Sequence, residues 1–205
     1  NVDEVCTNYN LVLWWQIGYF KVAVSGAAAI VSKTVTVANE SIDYEEVIKI
    51  IEKQGKEEEE QFDAALEMTL KTIEFAKERL AIPFAVFKPT GFGRLALYEK
   101  VGDKAHLTEN EQKEWNRVIE RFDIACKTAF EKDVLLLIDA EESWMQDAAD
   151  AIVTDMMRKY NKQKAIVFNT LQMYRWDRLD YLKNLHEQAI AEGFYIGMKL
   201  VRGAY

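Results

Sequence analysis

Polar side chains that could bind or activate a ligand follow, or interrupt, four short apolar segments of this sequence. In chain order they are Lys88, Asp139, Glu141, Asn169, Thr170, Gln172, Lys199 and Arg202. Three of them are cations and two are carboxylates, a mixture that suits an anionic, zwitterionic or phosphate-bearing ligand. Cations at the end of a buried strand are costly unless an anion meets them there. We therefore expect Lys199 and Arg202 to face an anionic group.

Other ligand chemistries lack support in the sequence. No G-x-G-x-x-G or P-loop occurs, and GFGR at 91–94 is too short to cradle phosphates. The two cysteines, Cys6 and Cys126, are far apart and form neither a disulfide framework nor a zinc pattern. Cys126 lies on the apolar face of a predicted helix, and His106 and His186 occupy polar contexts typical of the surface. No metal site is predicted.

The polar residues are separated by segments with strand and helix patterns. Short apolar runs predict strands at Phe84–Phe87, Val134–Ile138, Ala165–Phe168 and from about Ile196. Apolar residues at steps of three or four predict helices at Glu57–Leu80, Thr108 to about Lys132, Ser143–Tyr160 and Asp177–Glu192. Thr108 with Glu111 resembles a capping box, Asp177 is a candidate N-cap, and Gly193 suits the residue after a helix.

Alternation of buried strands with helices predicts an α/β fold with a parallel sheet. The carboxyl ends of parallel strands face one shared site, so the polar residues should converge. A doubly wound sheet and a (β/α)₈ barrel both fit. A complete barrel typically needs about 250 residues, so the chain would supply part of one, with about four βα units.

Composition and the N-terminal segment restrict the class of protein further. The net charge of −8 argues against a nucleic-acid surface, which needs a basic face. Leu11–Val31 is the most apolar region, but Gln16 and Lys21 interrupt it, so we do not predict a membrane span. Residues 1–45 lack a clear period, and we interpret them as a divergent N-terminal segment of unclear fold, followed by the α/β part at 46–205.

Four motifs of the chain resemble the proline dehydrogenase family. They are VFKPTGFGR, LLIDAEESW, FNTLQMYRWDRLDYL and GFYIGMKLVRGAY, in the family's order, and the resemblance covers roughly Gly55–Tyr205. It implies an FAD-dependent (β/α)₈ barrel that oxidises L-proline to Δ1-pyrroline-5-carboxylate. Such a protein is a flavoprotein oxidoreductase of proline catabolism.

The resemblance also implies roles for individual residues. Cofactor-binding positions are Thr170, Gln172, Lys199, Arg202, Gly203 and Ala204. Lys199 matches the basic residue beside the flavin N5, Arg202 lies where a cation meets the pyrophosphate, and Thr170 and Gln172 fall at the isoalloxazine edge. Toward the substrate, Lys88 matches a lysine near the proline carboxylate, Asp139 belongs to the active-site network, and Tyr205 borders the site.

Family members continue past the GAY motif, with further strands and paired arginines that clamp the substrate carboxylate. We therefore expect this chain to be the N-terminal part of such a barrel and to be inactive by itself. The resemblance implies a quinone as electron acceptor and a cytoplasmic location with peripheral contact to the inner membrane face. Two alternatives remain open: another (β/α)₈ enzyme, such as an aldolase with Lys88 or Lys199 as Schiff-base lysine, and a non-catalytic binding module.

Overall fold

The computed structural model describes residues 44–77, 79 and 81–202, without the side chains of residues 44–54 and 57. The chain divides into two compact units, Asn1–Glu60 and Gln61–Tyr205. The predicted segment 1–45 lies almost wholly outside the described residues. Helix α1, Tyr44–Lys77, begins well before the predicted start at Glu57 because the segment EEVIKIIEKQ is rich in good helix formers with a helical apolar period.

Four parallel strands alternate with helices in the unit Gln61–Tyr205, as the sequence predicts. The strands are β1 (Phe84–Phe87), β2 (Leu135–Ile138), β3 (Val167–Gln172) and β4 (Met198–Val201), in the sheet order β1-β2-β3-β4. After α1, the helices are α2 (Leu95–Gly102), α3 (Glu109–Lys132), α4 (Ser143–Tyr160) and α5 (Arg178–Glu192). Helix α2 was not predicted; it follows a short 3₁₀ turn at Pro89–Gly91. Strand β3 extends through Gln172, past the predicted end at Phe168.

One face of the sheet packs against the helices and forms the hydrophobic core. Its strand residues include Ala85, Phe87, Leu136, Ile138, Val167 and Leu171, all buried. Phe87 stacks on Phe92 at 4.4 Å and meets the edge of Phe122 from α3 at 5.2 Å between ring centroids. Burying each such side chain stabilises the fold by about 1.5–3 kcal/mol. Cys126 of α3 is fully buried, as predicted, and burial raises the pKa of its thiol.

The opposite face of the sheet carries an apolar layer beneath the strand ends. Val86 and Leu137 are paired across β1 and β2, and Leu137 is paired with Phe168 of β3. Gly197, just before β4, has no side chain at this position of the layer. A Cβ there would lie 2.5 Å from the carbonyl oxygen of Val167 and 2.8 Å from the Phe168 ring. The absence of a side chain at Gly197 therefore lets β4 approach β3 closely.

Asn161 joins β3 and β4 at the amino-terminal edge of the sheet. Its Oδ1 accepts hydrogen bonds from the backbone N–H groups of Ile166 and Val167, both at 2.9 Å. Its Nδ2 donates to the carbonyl oxygens of Val167 and Tyr195, also at 2.9 Å. The side chain is fully buried, so these bonds satisfy an amide that would otherwise destabilise the core.

Helix ends agree with two of the three predicted signatures. Thr108 and Glu111 form the capping box of α3, and Gly193 ends α5 in the left-handed region with φ of 67°. Asp177 precedes α5 but makes no side-chain cap, because its carboxylate accepts from Arg175 and Arg178 instead. No helix among residues 44–77 and 81–202 is long and apolar enough to cross a membrane.

Candidate active site

The strand register aligns four polar side chains at the carboxyl edge of the sheet. Phe87 is paired with Ile138, Leu137 with Phe168, and Thr170 with Lys199. Continuing the register brings Lys88, Asp139, Thr170 and Lys199 to one level, one from each strand, and we call these four residues the polar row. Lys88 and Asp139 directly follow β1 and β2, whereas Thr170 and Lys199 lie within β3 and β4. Side chains two apart on a strand share a face, so the polar row lies directly above the apolar layer of Val86, Leu137 and Phe168.

Asp139 lies at the centre of the contacts within the polar row. Its carboxylate forms an ion pair with the Lys199 ammonium. The Thr170 hydroxyl donates to the carbonyl of Ile138 at 2.8 Å and lies 3.4 Å from Asp139 Oδ1. The ion pair is partly exposed, with 37% and 27% of the two side chains accessible, so the ammonium of Lys199 remains open to a ligand. Lys88 is exposed.

Glu141 and Gln172 form a second level above the polar row. The Glu141 carboxylate accepts hydrogen bonds from the backbone N–H and the hydroxyl of Thr90, at 2.9 and 2.8 Å, and so ties the loop after β1 to the loop after β2. Gln172 Nε2 donates to the carbonyl oxygen of Glu141 at 2.8 Å. Gln172 Oε1 is buried and has no hydrogen-bond partner among the described residues. An unpartnered buried acceptor is a place for a ligand donor.

A buried ion pair supports this edge from the helix side. The Asp150 carboxylate of α4 accepts from Arg178 Nη1 at 2.5 Å and from Asn169 Nδ2 and Gln146 Nε2 at 2.8 Å each. Burial raises the pKa of Asp150 above its ordinary value, although the hydrogen bonds and the Arg178 charge oppose the shift. Tyr181 lies beside the pair, and burial raises its pKa to about 12. The pair joins α4, β3 and α5 behind the strand end.

A hydrogen bond from Tyr98 of α2 holds the loop after β1 in position. The Tyr98 hydroxyl donates to the carbonyl oxygen of Pro89 at 2.8 Å, and both residues are buried. Burial, followed by the negative charge of Glu141, raises the pKa of Tyr98 well above its ordinary value, so it remains a donor. The position of Thr90, one residue further on, is thereby set relative to Glu141.

Most of the site residues predicted from the sequence lie at this edge. Lys88, Asp139, Thr170 and Lys199 form the polar row, and Gln172 lies one level above it. Arg202 follows β4 directly and is exposed. Gly203, Ala204 and Tyr205 lie outside the described residues. Asn169 does not face the site: its side chain points to the helix layer, where it contacts Asp150.

Sequence reasoning missed the residues that hold the site from behind. Thr90, Gln146, Asp150 and Arg178 were not predicted to contribute. For two of them the sequence does contain a signal. Gln146 and Asp150 are polar residues four positions apart, next to the apolar stripe of α4, and in the structure they are only 1% and 4% exposed. Polar residues at buried helical positions need partners, so this spacing could have pointed to a network.

The arrangement combines charge, hydrogen bonding and an apolar floor. The polar row holds two ammonium groups against one carboxylate, so it favours a ligand that carries an anionic group. Gln172 adds an acceptor, and the apolar layer below offers a nonpolar contact surface. These features suit an organic ligand with an anionic part and an N–H donor.

Comparison with known proteins assigns the chain to a family. The model of the proline dehydrogenase family matches residues 23–205. A carbapenem antibiotics biosynthesis protein, CarD of Pectobacterium carotovorum subsp. carotovorum, is 37% identical over 152 residues, which are 74% of this chain and 40% of that protein. Human mitochondrial proline dehydrogenase 1 is 40% identical over 101 residues, 49% of this chain and 17% of that protein. The chain thus spans less than half the length of these relatives.

Solved structures of proline utilization A share the fold. A variant from Bradyrhizobium japonicum aligns with a TM-score of 0.58 at 14% identity, over 72% of this chain and 15% of that one. The protein from Bdellovibrio bacteriovorus, inactivated by N-propargylglycine, aligns with a TM-score of 0.57 at 15% identity, over 78% and 19% of the two chains. The four parallel strands and their helices therefore match part of the fold of these proteins. Together with the family match over most of its length, this assigns the chain to the proline dehydrogenase family.

Proposed function

We propose that the protein oxidises L-proline to Δ1-pyrroline-5-carboxylate with FAD as hydride acceptor, and that this chain supplies one side of the flavin and substrate site. The polar row carries the proposal, because four separate strands bring Lys88, Asp139, Thr170 and Lys199 to one level. The match to the proline dehydrogenase family over residues 23–205 supports it.

The residues at the strand ends fit a flavin. The unpartnered Oε1 of Gln172 is a buried acceptor, and an isoalloxazine ring offers an imide N–H. Lys199, on β4 next to the strand that carries Gln172, offers a partly exposed cationic side chain. Arg202, directly after β4, offers a second cation. We assign Thr170, Gln172, Lys199 and Arg202, with Gly203 and Ala204 beyond the described residues, to cofactor binding.

FAD, when bound, accepts the hydride of the oxidation. The protein's own part is to hold the reacting groups together and to supply charge. The Lys199 ammonium stabilises negative charge that develops on its ligand during the reaction. Asp139 holds Lys199 in place through their ion pair, and Thr170 fixes the backbone at Ile138.

We assign three residues to the substrate side. Lys88, exposed at the end of β1, binds the proline carboxylate. Asp139 orients the cationic groups around the substrate, and Tyr205, beyond the described residues, borders the site. A Schiff-base aldolase is less well supported: such lysines act from desolvated positions, whereas Lys88 is exposed and Lys199 is engaged by Asp139.

The test uses the protein in its full natural length. Purified protein loaded with FAD should show flavin absorbance that bleaches when L-proline is added without oxygen. Lys199→Met should lower the rate of bleaching by about 100-fold, the usual cost of losing one group that stabilises developing charge. Lys183→Met is the control, since Lys183 is an exposed residue of α5 that pairs only with Asp180 among the described residues. Absorbance that does not respond to proline would overturn the proposed function, and Schiff-base trapping by borohydride would favour the aldolase.

A further inference from the structure

The side-chain amide of Gln172 has a fixed orientation. Its Nε2 donates to the Glu141 carbonyl oxygen at 2.8 Å, so its Oε1 must point the other way. That oxygen is buried and unpartnered within the described part of the chain, and the residue is 8% exposed. Leaving a buried acceptor unpartnered is costly. A ligand group that meets it must therefore be a donor.

Glu141 is held so that its carbonyl can accept this bond. Its backbone N–H donates to Gln146 Oε1 at 3.2 Å. Its carboxylate is fixed by two hydrogen bonds from Thr90. The backbone N–H and the side chain of Glu141 are thus both tied to other parts of the chain, and the direction of its carbonyl depends on Gln146 and Thr90.

Gln146 is oriented in turn by Asp150. Gln146 Nε2 donates to Asp150 Oδ1 at 2.8 Å. An ionised carboxylate only accepts hydrogen bonds, and the Arg178 guanidinium, 2.5 Å from Asp150 Oδ2, favours the ionised form. Gln146 must therefore turn its NH₂ group to Asp150 and its oxygen to Glu141. The donors and acceptors run in one direction from the buried carboxylate to the ligand side.

We propose that Asp150, Gln146, Glu141 and Gln172 form a hydrogen-bond relay, in which the buried carboxylate fixes Gln172 as an acceptor toward the ligand and Gln146 is a positioning residue. The identity of the donor rests on the proposed function: in oxidised FAD it is the imide N–H, the only N–H of the ring system. The relay thereby selects a ring with an N–H donor over one without it.

The selection can be measured with two cofactors. Full-length apoprotein is titrated with FAD and with FAD methylated on the imide nitrogen, and binding is followed by flavin fluorescence. Wild type should bind the methylated form about tenfold or more weakly, because the acceptor then stays unpartnered. In Gln146→Met the ratio of the two dissociation constants, methylated FAD over FAD, should fall to about twofold. The control is Gln112→Met: Gln112 is an exposed glutamine of α3, and this variant should keep the wild-type ratio. A Gln146→Met protein that keeps the full ratio would overturn the relay.

A second measurement needs no flavin. In the ¹⁵N–¹H spectrum of the wild-type apoprotein, the side-chain NH₂ groups of Gln146 and Gln172 should exchange with solvent far more slowly than that of Gln112, because each donates to a buried acceptor. Fast exchange at Gln172 would contradict the relay, whether or not Gln146→Met folds. Failure of wild type to bind either cofactor, with slow exchange at both amides, would overturn the proposed function and leave the relay standing.

Discussion

Replacing Arg178 by methionine should destabilise the protein more than replacing Asp150 by asparagine, although the two side chains form one ion pair. The difference comes from the remaining partners. Without Arg178, the buried Asp150 carboxylate keeps, among the described residues, the amides of Gln146 and Asn169 as its partners. Without the Asp150 charge, Arg178 still pairs with Asp177, whose side chain is 25% exposed.

The magnitudes follow from burial. Both side chains of the pair are 5% exposed, and leaving one buried charge without its partner costs about 3–5 kcal/mol. We therefore expect Arg178→Met to lower the free energy of unfolding by about 4 kcal/mol. Asp150→Asn keeps an acceptor for Gln146 and Asn169 and loses one charge-assisted bond, so we expect about 2 kcal/mol.

Urea unfolding, followed by circular dichroism and tryptophan fluorescence on the full-length protein, measures both values. The pH dependence has a defined sign. Burial raises the pKa of Asp150 in the folded protein, and loss of Arg178 raises it further. A raised folded pKa destabilises the fold as pH rises through it, so Arg178→Met should recover stability when the pH is lowered from about 7 to about 5.

The matched control is Arg158→Met. Arg158 also joins α4 to α5, through Glu192, and it pairs with Asp155 on its own helix, but its side chain is 35% exposed. Exposed ion pairs contribute about 0–1 kcal/mol, so this variant should be close to wild type. The reasoning is refuted if Asp150→Asn costs as much as Arg178→Met, or if Arg178→Met costs no more than the control.

Three further predictions concern packing, capping and reactivity. Gly197→Ala should cost about 1–3 kcal/mol in urea unfolding, because the new Cβ would lie 2.5 Å from the Val167 carbonyl oxygen. Glu111→Ala should cost about 1 kcal/mol near pH 7 by loss of the capping box with Thr108 and of the ion pair with Lys100. Burial opposes ionisation of Glu111, but hydrogen bonds from Lys100 and Thr108 lower its pKa from 4.5 to about 2. This stabilisation is therefore lost as the pH falls toward 2, where the stabilities of the two proteins should converge. Cys126 should react with a disulfide reagent only after unfolding, since its thiol is fully buried.

Each of these predictions has a control. Gly55→Ala, at a helical position where the added Cβ would meet no other element within 4 Å among the described residues, should be neutral or stabilising; equal losses at Gly55 and Gly197 would contradict the packing argument. A Glu111→Ala protein whose deficit persists at pH 2 would exclude the charged cap as its cause. The Cys126 experiment is done in a Cys6→Ser background, and rapid labelling under native conditions would mean that α3 opens readily.

The alternation of strands and helices could be predicted because it depends on local patterns. The apolar run Leu135–Ile138, the helical period of α3 and the capping box at Thr108 each depend on residues that are close together in the sequence. The polar row could be anticipated in part, since parallel strands end at the same edge. Its members, however, become neighbours only through the register, which no local pattern specifies.

Other features depended on contacts between distant segments. Asp177 has the composition of an N-cap, but Arg175 and Arg178 compete for its carboxylate. Strand β3 continues through Asn169, although this residue is polar, because its side-chain amide donates a hydrogen bond to Asp150 in the helix layer. Helix α2 follows a Pro/Gly segment that, taken alone, predicts only a loop.

Asn161 has a consequence for how such a protein can change over evolutionary time. Its four hydrogen bonds set the alignment of β3 and β4 from the amino-terminal edge, and the close approach at Gly197 reinforces it. Thr170 and Lys199, further along the same strands, can therefore be exchanged for other residues without moving the strands against each other. A lineage can alter the reaction at one edge while inheriting the alignment from the opposite one, and a designer of new specificities can use the same separation.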